Sequence, residues 1–224
     1  MKTAPMSRIG FRILRSALDM FRDGRGIAAT EFAFIVPVML VMFFGVVEFS
    51  SGVAVDRKVT LVARTVSDLT SQAPSSAPQA TYAGVTDSYL QNVFNAGVLI
   101  FKPYTPTTPA TARVSEIYID SSGVAKIQWS RAATMTDTAA TLVTSSRNPG
   151  DTVTSLVPPA LLLSKQTYLI FSEVTFIYQP AVGYVMAPAG VSLSDVAFTR
   201  PRQVVCVTYN NLPVLDSSGQ CPLT

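Results

Sequence analysis

The sequence predicts an α+β protein in which a long N-terminal helix, partly transmembrane, leads into an antiparallel β-sheet domain. Three observations carry this. The 21 residues from Ile27 to Val47 hold a single charge, Glu31, and as a helix they span about 31 Å, enough for a bilayer core. Beyond them Val55, Val59, Val62, Val66 and Leu69 recur at spacings of 4, 3, 4 and 3, an apolar seam on a continuing helix. From Val114 the apolar period shortens to two, which marks strands.

The charges set the orientation. Lys2, Arg8, Arg12, Arg15, Arg22 and Arg25 precede the apolar run against Asp19 and Asp23, so residues 1–26 are expected in the cytoplasm and everything after Glu48 across the membrane. Setting residues 1–26 aside leaves 11 of 17 basic and 12 of 14 acidic residues, a near balance that gives no nucleic acid partner. Charged residues make up 14% of the chain, against ~25% in ordinary soluble domains, which favours membrane or assembly contact. The 224 residues include no histidine, which excludes Ser-His-Asp and Cys-His catalysis and histidine-ligated metal sites; no cofactor is expected. A cleaved secretory signal is the rival reading of the apolar run. The run exceeds the usual apolar core of about 7–15 residues, and VEFSSGVAVDRKV continues helically without a small-residue cleavage site.

The elements follow in order. One helix is expected over Ala28–Gln72, 45 residues and about 68 Å, its second half packed on the following domain or, alternatively, in a short intermolecular coiled coil. Pro37 removes one hydrogen bond within it, which membrane helices tolerate. Ala73–Thr81 and Pro103–Ala112 read as Pro-rich loops. Between them Thr86–Ala96, with Tyr89, Leu90, Val93 and Phe94 apolar and Gly97 as a cap, reads as a short helix closing over the sheet edge. Ser121-Ser122-Gly123 turns a hairpin whose second strand puts Ala125, Ile127 and Trp129 on one face. Tyr168–Gln179 reads as a central strand, and Val196–Thr199 and Val204–Tyr209 add further strands. The organisation is then leader (1–26), transmembrane helix (27–48), amphipathic extension (49–72), linkers with a short helix (73–112) and extracytoplasmic β domain (113–224).

Two residue sets carry candidate chemistry in the β domain. Cys206 and Cys221 are the only cysteines, 15 positions apart on the side of the membrane where disulfides form, and they are expected to pair, stabilising by about 3 kcal/mol. Two thiols are too few for a metal site. Glu173 is expected in an ion pair with Arg200 or Arg202; it lacks a partner acid for catalysis. Gly24 to Ala29 fit G-x-G-x-x-A, yet a basic stretch precedes and a membrane-length run follows, where a dinucleotide site needs a buried strand and an amphipathic helix.

RGIAATEFAFIVPVMLVMFFGVVEFSSG, Arg25 to Gly52, resembles the N-terminal signature of TadE-like proteins, pseudopilins of the tight-adherence (Tad, or Flp) pilus systems of bacteria. The resemblance implies a pilin-like fold and cleavage by a prepilin peptidase after Gly26. Ile27 would become the new N-terminus, and Glu31, the fifth residue after the cut, would serve in assembly or peptidase recognition. Its freed ammonium can pair with Glu31 of a neighbouring subunit, each charge supplying the other's partner in an apolar setting. Glycine at Gly26 lets the backbone enter a protease cleft in extended form. Glu31 near the membrane edge, snorkelling to the interface, is the bland alternative. The EVTFIYQP and TRPRQVVCVTY stretches are also similar to the family, less diagnostically. The larger TadG-like proteins carry a metal-binding adhesion-like domain, for which 224 residues leave no room. The implied partners are the inner membrane, the prepilin peptidase, the major Flp pilin, a second pseudopilin and the Tad assembly platform. The implied place is the bacterial inner membrane, single-pass, with the C-terminal domain in the periplasm or incorporated in the pilus, and the implied role is non-enzymatic. The alternative is an uncleaved, membrane-anchored periplasmic scaffold or binding protein.

Overall fold

The computed structural model describes residues 26–77, 80–106, 108–180, 189–217 and 220–222; apart from Gly26, the expected leader lies outside them. The chain divides into two units, Met1–Phe49 and Ser50–Thr224. The described part of the first is helical. It belongs to α1 (Ile27–Ser71), 45 residues with Pro37 inside, within one residue of the predicted helix at each end.

In the second unit the rest of α1 joins a β domain. Its seam residues Val55, Val59, Val62 and Val66 are fully buried and Leu69 half-buried, so the seam faces the chain's own core and not a second copy's helix. The turns that meet the sheet carry small side chains, which lets the backbones approach. Ser172 Oγ donates to Ala63 O at 2.6 Å, and Ser67 Oγ lies 2.8 Å from Thr199 Oγ1.

The following elements are β1 (Tyr82–Val85), α2 (Asp87–Phe101), β2 (Ala110–Ile119), β3 (Ala125–Met135), β4 (Ala140–Val143), α3 (Pro159–Leu162), β5 (Thr167–Tyr178), β6 (Val191–Thr199) and β7 (Cys206–Tyr209). Five strands form an antiparallel sheet in the order β4-β3-β2-β5-β6. β2 therefore holds the centre and β5 an interior place. The last strand departs from expectation: β7 pairs in parallel with β1, Tyr82 opposite Cys206, as a separate two-stranded sheet. A four-residue strand is too short to show an alternating pattern, and a parallel pair needs no hairpin turn to announce it.

Three further differences have physical causes. The Pro/Thr stretch gives its last residues, Ala110–Ala112, to β2. The helix read as ending before Gly97 runs on to Phe101, because Gly97 is a packing glycine: a Cβ there would stand 3.0 Å from Val62 Cγ1 and 3.4 Å from Met135 Sδ. Its start is as expected, with Thr86 Oγ1 accepting the Tyr89 N–H at 3.3 Å, and α2 packs over β3 and β4. Trp129 does not share a face with Ala125 and Ile127. Glu116 pairs with Trp129 and Ile117 with Ile127, so Gln128 is an extra residue that flips the parity of the strand.

That bulge divides the core. Trp129, Ala133 and Met135 join α1, α2, β1 and β7 on one face of the sheet, while Ala125 and Ile127 join Ile117, Leu169 and Phe171 on the other. The second face is covered by the connection between β4 and β5, through Val153, Val157, Leu161 and Leu162. The hairpin turn itself is set by Asp120, whose Oδ1 accepts the N–H groups of Ser122 and Val124 at 2.8 and 2.9 Å, with Gly123 at φ +83°.

Candidate functional site

The entry to α1 brings the sequence-predicted N-terminal residues onto one exposed helical end. Gly26 immediately precedes the helix, and a Cβ built there would meet none of the described residues within 4 Å. Ile27 is 60% exposed, and Thr30 Oγ1 donates to Ile27 O at 2.8 Å. Glu31 follows four residues on, so Ile27 and Glu31 lie one turn apart on the same face. Glu31 is exposed, as are Phe32, Phe34, Val41 and Phe49, each more than two-thirds open to solvent. α1 is long and apolar enough to cross a membrane, and no part of its most apolar window is buried within the chain. A helix with apolar residues on every side calls for lipid or other helices around it. This suggests a single-pass anchor.

Glu173 sits on the second face of the β sheet, and its partners differ from those expected. Arg113, opposite it on β2, donates from Nη1 to Oε2 at 3.0 Å, and Arg147 donates from Nε at 2.6 Å and from Nη2 at 2.5 Å. Arg202 instead pairs with Asp68 of α1 and donates its backbone N–H to Ser71 O at 2.9 Å. Arg113 faces Glu173 across one β rung, a closer relation than the chain beyond β6 can offer. Burial raises the Glu173 carboxyl, but the two guanidiniums outweigh it and hold it below the usual carboxylate range. A carboxylate locked as an anion between two arginines is poorly placed to exchange protons, and its role here is structural.

Glu116 is the residue that sequence reasoning passed over. It is fully buried on the helix face of β2, where Oε1 accepts the Val207 N–H at 2.6 Å and Oε2 has no partner among the described atoms. Trp129 Nε1 donates to Val207 O, so both backbone groups of Val207 are held by side chains of the large sheet. Burial raises the Glu116 carboxyl well above its ordinary value, against the lowering pull of these N–H groups. In VSEIYID it looks like an ordinary polar-face residue, because nothing local reveals that β1 and β7 cover that face. Beside it Cys206 and Cys221 form a disulfide, both buried with Tyr118 and Tyr168. Among the described residues no group of three or more Asp, Glu or Cys side chains is placed to hold a metal ion.

These features define a class: an α+β protein with a long, apolar N-terminal helix of anchor type running into an antiparallel β domain whose polar clusters serve packing. The particular family enters through that helix. Residues 26–68 match the model of the family described as TadE-like protein, a match that begins at Gly26 and ends within α1. The TadE-like segment supports a Tad pilus-associated protein, and the family is structural, of pilin type, and not enzymatic. No curated protein matches the chain, and no solved structure does.

Proposed function

We propose that the chain is a pseudopilin, a minor pilin required for assembly of a Tad/Flp-type pilus. It inserts into the bacterial inner membrane with residues 1–26 in the cytoplasm and the β domain in the periplasm. A prepilin peptidase cuts after Gly26, and α1 then packs among other pilin helices. The observation that carries this is the order at the start of α1: Gly26, the first helical residue Ile27, and Glu31 one turn on, all exposed at the head of a TadE-like apolar helix. Cleavage frees an ammonium at Ile27 where the helix already gathers unpaired N–H groups, and the Glu31 carboxylate of a neighbouring subunit supplies the countercharge. The Tad assembly platform, the major Flp pilin and a second pseudopilin are the partners this reading requires.

Two variants test it. Gly26→Trp is expected to leave the leader attached and block piliation, while membrane insertion survives because the span is unchanged. Glu31→Ala is expected to impair piliation more than cleavage. Normal piliation by uncleaved Gly26→Trp protein contradicts the assignment and favours the uncleaved scaffold.

A further inference from the structure

The two edges of the five-stranded sheet are finished differently. β4 is four residues long and α2 closes its outer side: Asn95 Oδ1 accepts the Ala140 N–H at 2.9 Å, and Gln91 Nε2 donates to Ala140 O. β6 is nine residues long. The ladder's alternation can be followed from the β3–β4 turn, where Thr136 N bonds Ala139 O at 3.0 Å, across the paired registers to β6. It turns the backbone N–H and C=O groups of Ser192, Ser194, Val196 and Phe198 outward. Among the described residues the partner on that row is Asp195, whose Oδ1 accepts the Val196 N–H at 2.8 Å. A row of unpaired main-chain groups on a long edge strand is a template for another strand, and folds ordinarily blunt it as α2 blunts β4.

The surroundings select what could be added. A cleft of about 600 Å³ runs between α1 and β6, lined by Arg64, Asp68 and Arg202. Asp68 is engaged by Arg202, so Arg64, which is exposed, leaves the cleft with positive charge in excess. Val196 and Phe198 also border the cleft, but their register opposite Glu173 and Phe171 turns their side chains to the other face of the sheet, Val196 50% exposed and Phe198 stacked on Phe171. We propose that the outer edge of β6 receives an extended segment of a different polypeptide by β-addition, with acidic side chains toward the cleft and apolar ones toward Val196 and Phe198. Main-chain hydrogen bonds supply the affinity and the alternation of side chains the specificity. A second β6 fits less well, since its one acid, Asp195, already caps its own strand. The proposal rests on the Ser50–Thr224 unit alone and does not depend on the pilus reading.

The test uses the full chain in detergent and two labelled peptides, one alternating Glu and Val and one alternating Lys and Val, followed by fluorescence anisotropy. The Glu-Val peptide should bind about fivefold more tightly, the effect of one or two exposed ion pairs. Arg64→Glu should abolish that preference. Ser194→Pro removes an outward N–H while sparing the ladder to β5, and should weaken Glu-Val binding by roughly tenfold with the melting temperature retained. If Ser194→Pro unfolds the domain, Arg64→Glu alone decides, since Arg64 is exposed and off the sheet. Failure of the Glu-Val peptide to bind, equal binding of both peptides, binding unchanged in Ser194→Pro, or peptide-free self-association lost in Ser194→Pro each overturns the proposal, the last by making a second copy the occupant.

Discussion

Glu116→Gln isolates the buried carboxyl that holds β7. In the folded chain burial keeps Glu116 protonated at pH values where the same carboxyl in the unfolded chain, near pKa 4.3, has already ionised. The folded pKa lies above the unfolded one, so the contribution is complete below about pH 4.3 and is lost as pH rises toward the folded value. Within that window the unfolded chain binds one proton fewer, and stability falls by about 1.4 kcal/mol per pH unit. Gln keeps an acceptor for the Val207 N–H and cannot ionise. Its unmatched amide N–H groups cost on the order of 1–3 kcal/mol, an offset that does not change with pH. The variant should therefore be the weaker protein at pH 4 and gain on the parent by about 1.4 kcal/mol per unit as pH rises. Trp129, the only tryptophan, lies against the same Val207 and reports the transition by its fluorescence. Urea midpoints of parent and variant, full chain in detergent, are compared from pH 4 to 8. Parallel profiles would refute the reasoning.

Other perturbations address the remaining packing. Gly97→Ala gains about 1 kcal/mol of helix propensity but pushes Val62, a β-branched side chain with little rotamer freedom, at a cost of about 1–3 kcal/mol, so the melting temperature should fall; Gly97→Leu should lower it further. Glu173→Gln removes the anion between Arg113 and Arg147, side chains about a quarter exposed, and should cost about 2 kcal/mol in urea unfolding at pH 7. Because the folded Glu173 pKa is depressed, the parent's advantage is present above about pH 4.3 and should shrink as pH falls through the folded value. Cys206 and Cys221 should resist alkylation in unreduced, denatured protein, and replacing both by serine should cost the domain about 3 kcal/mol in urea unfolding.

What the sequence made legible is what local periodicity encodes. The seam from Val55 to Val66, the two-residue period that begins at β2, the apolar run of β5 and the apolar stripe of α2 each declare themselves within a few turns or rungs. The start of α1 was legible too, because Gly26, Ile27 and Glu31 form a contiguous pattern. Long-range pairing was not. The parallel partnership of β1 with β7, the bulge at Gln128 that turns Trp129 onto the helix face, and the burial of Glu116 depend on elements distant in the chain. Glu173 shows the same limit, since the expected partners Arg200 and Arg202 are bypassed for Arg113 and Arg147, which strand register and a loop bring closer.

N-terminal sequencing of the protein recovered from bacterial membranes tests the proposed processing most directly. A pseudopilin cut after Gly26 begins at Ile27, the first residue of α1, and carries Glu31 as its fifth residue. A chain that still begins at Met1, recovered from cells that are assembling pili, would contradict cleavage and leave the apolar helix as a permanent anchor.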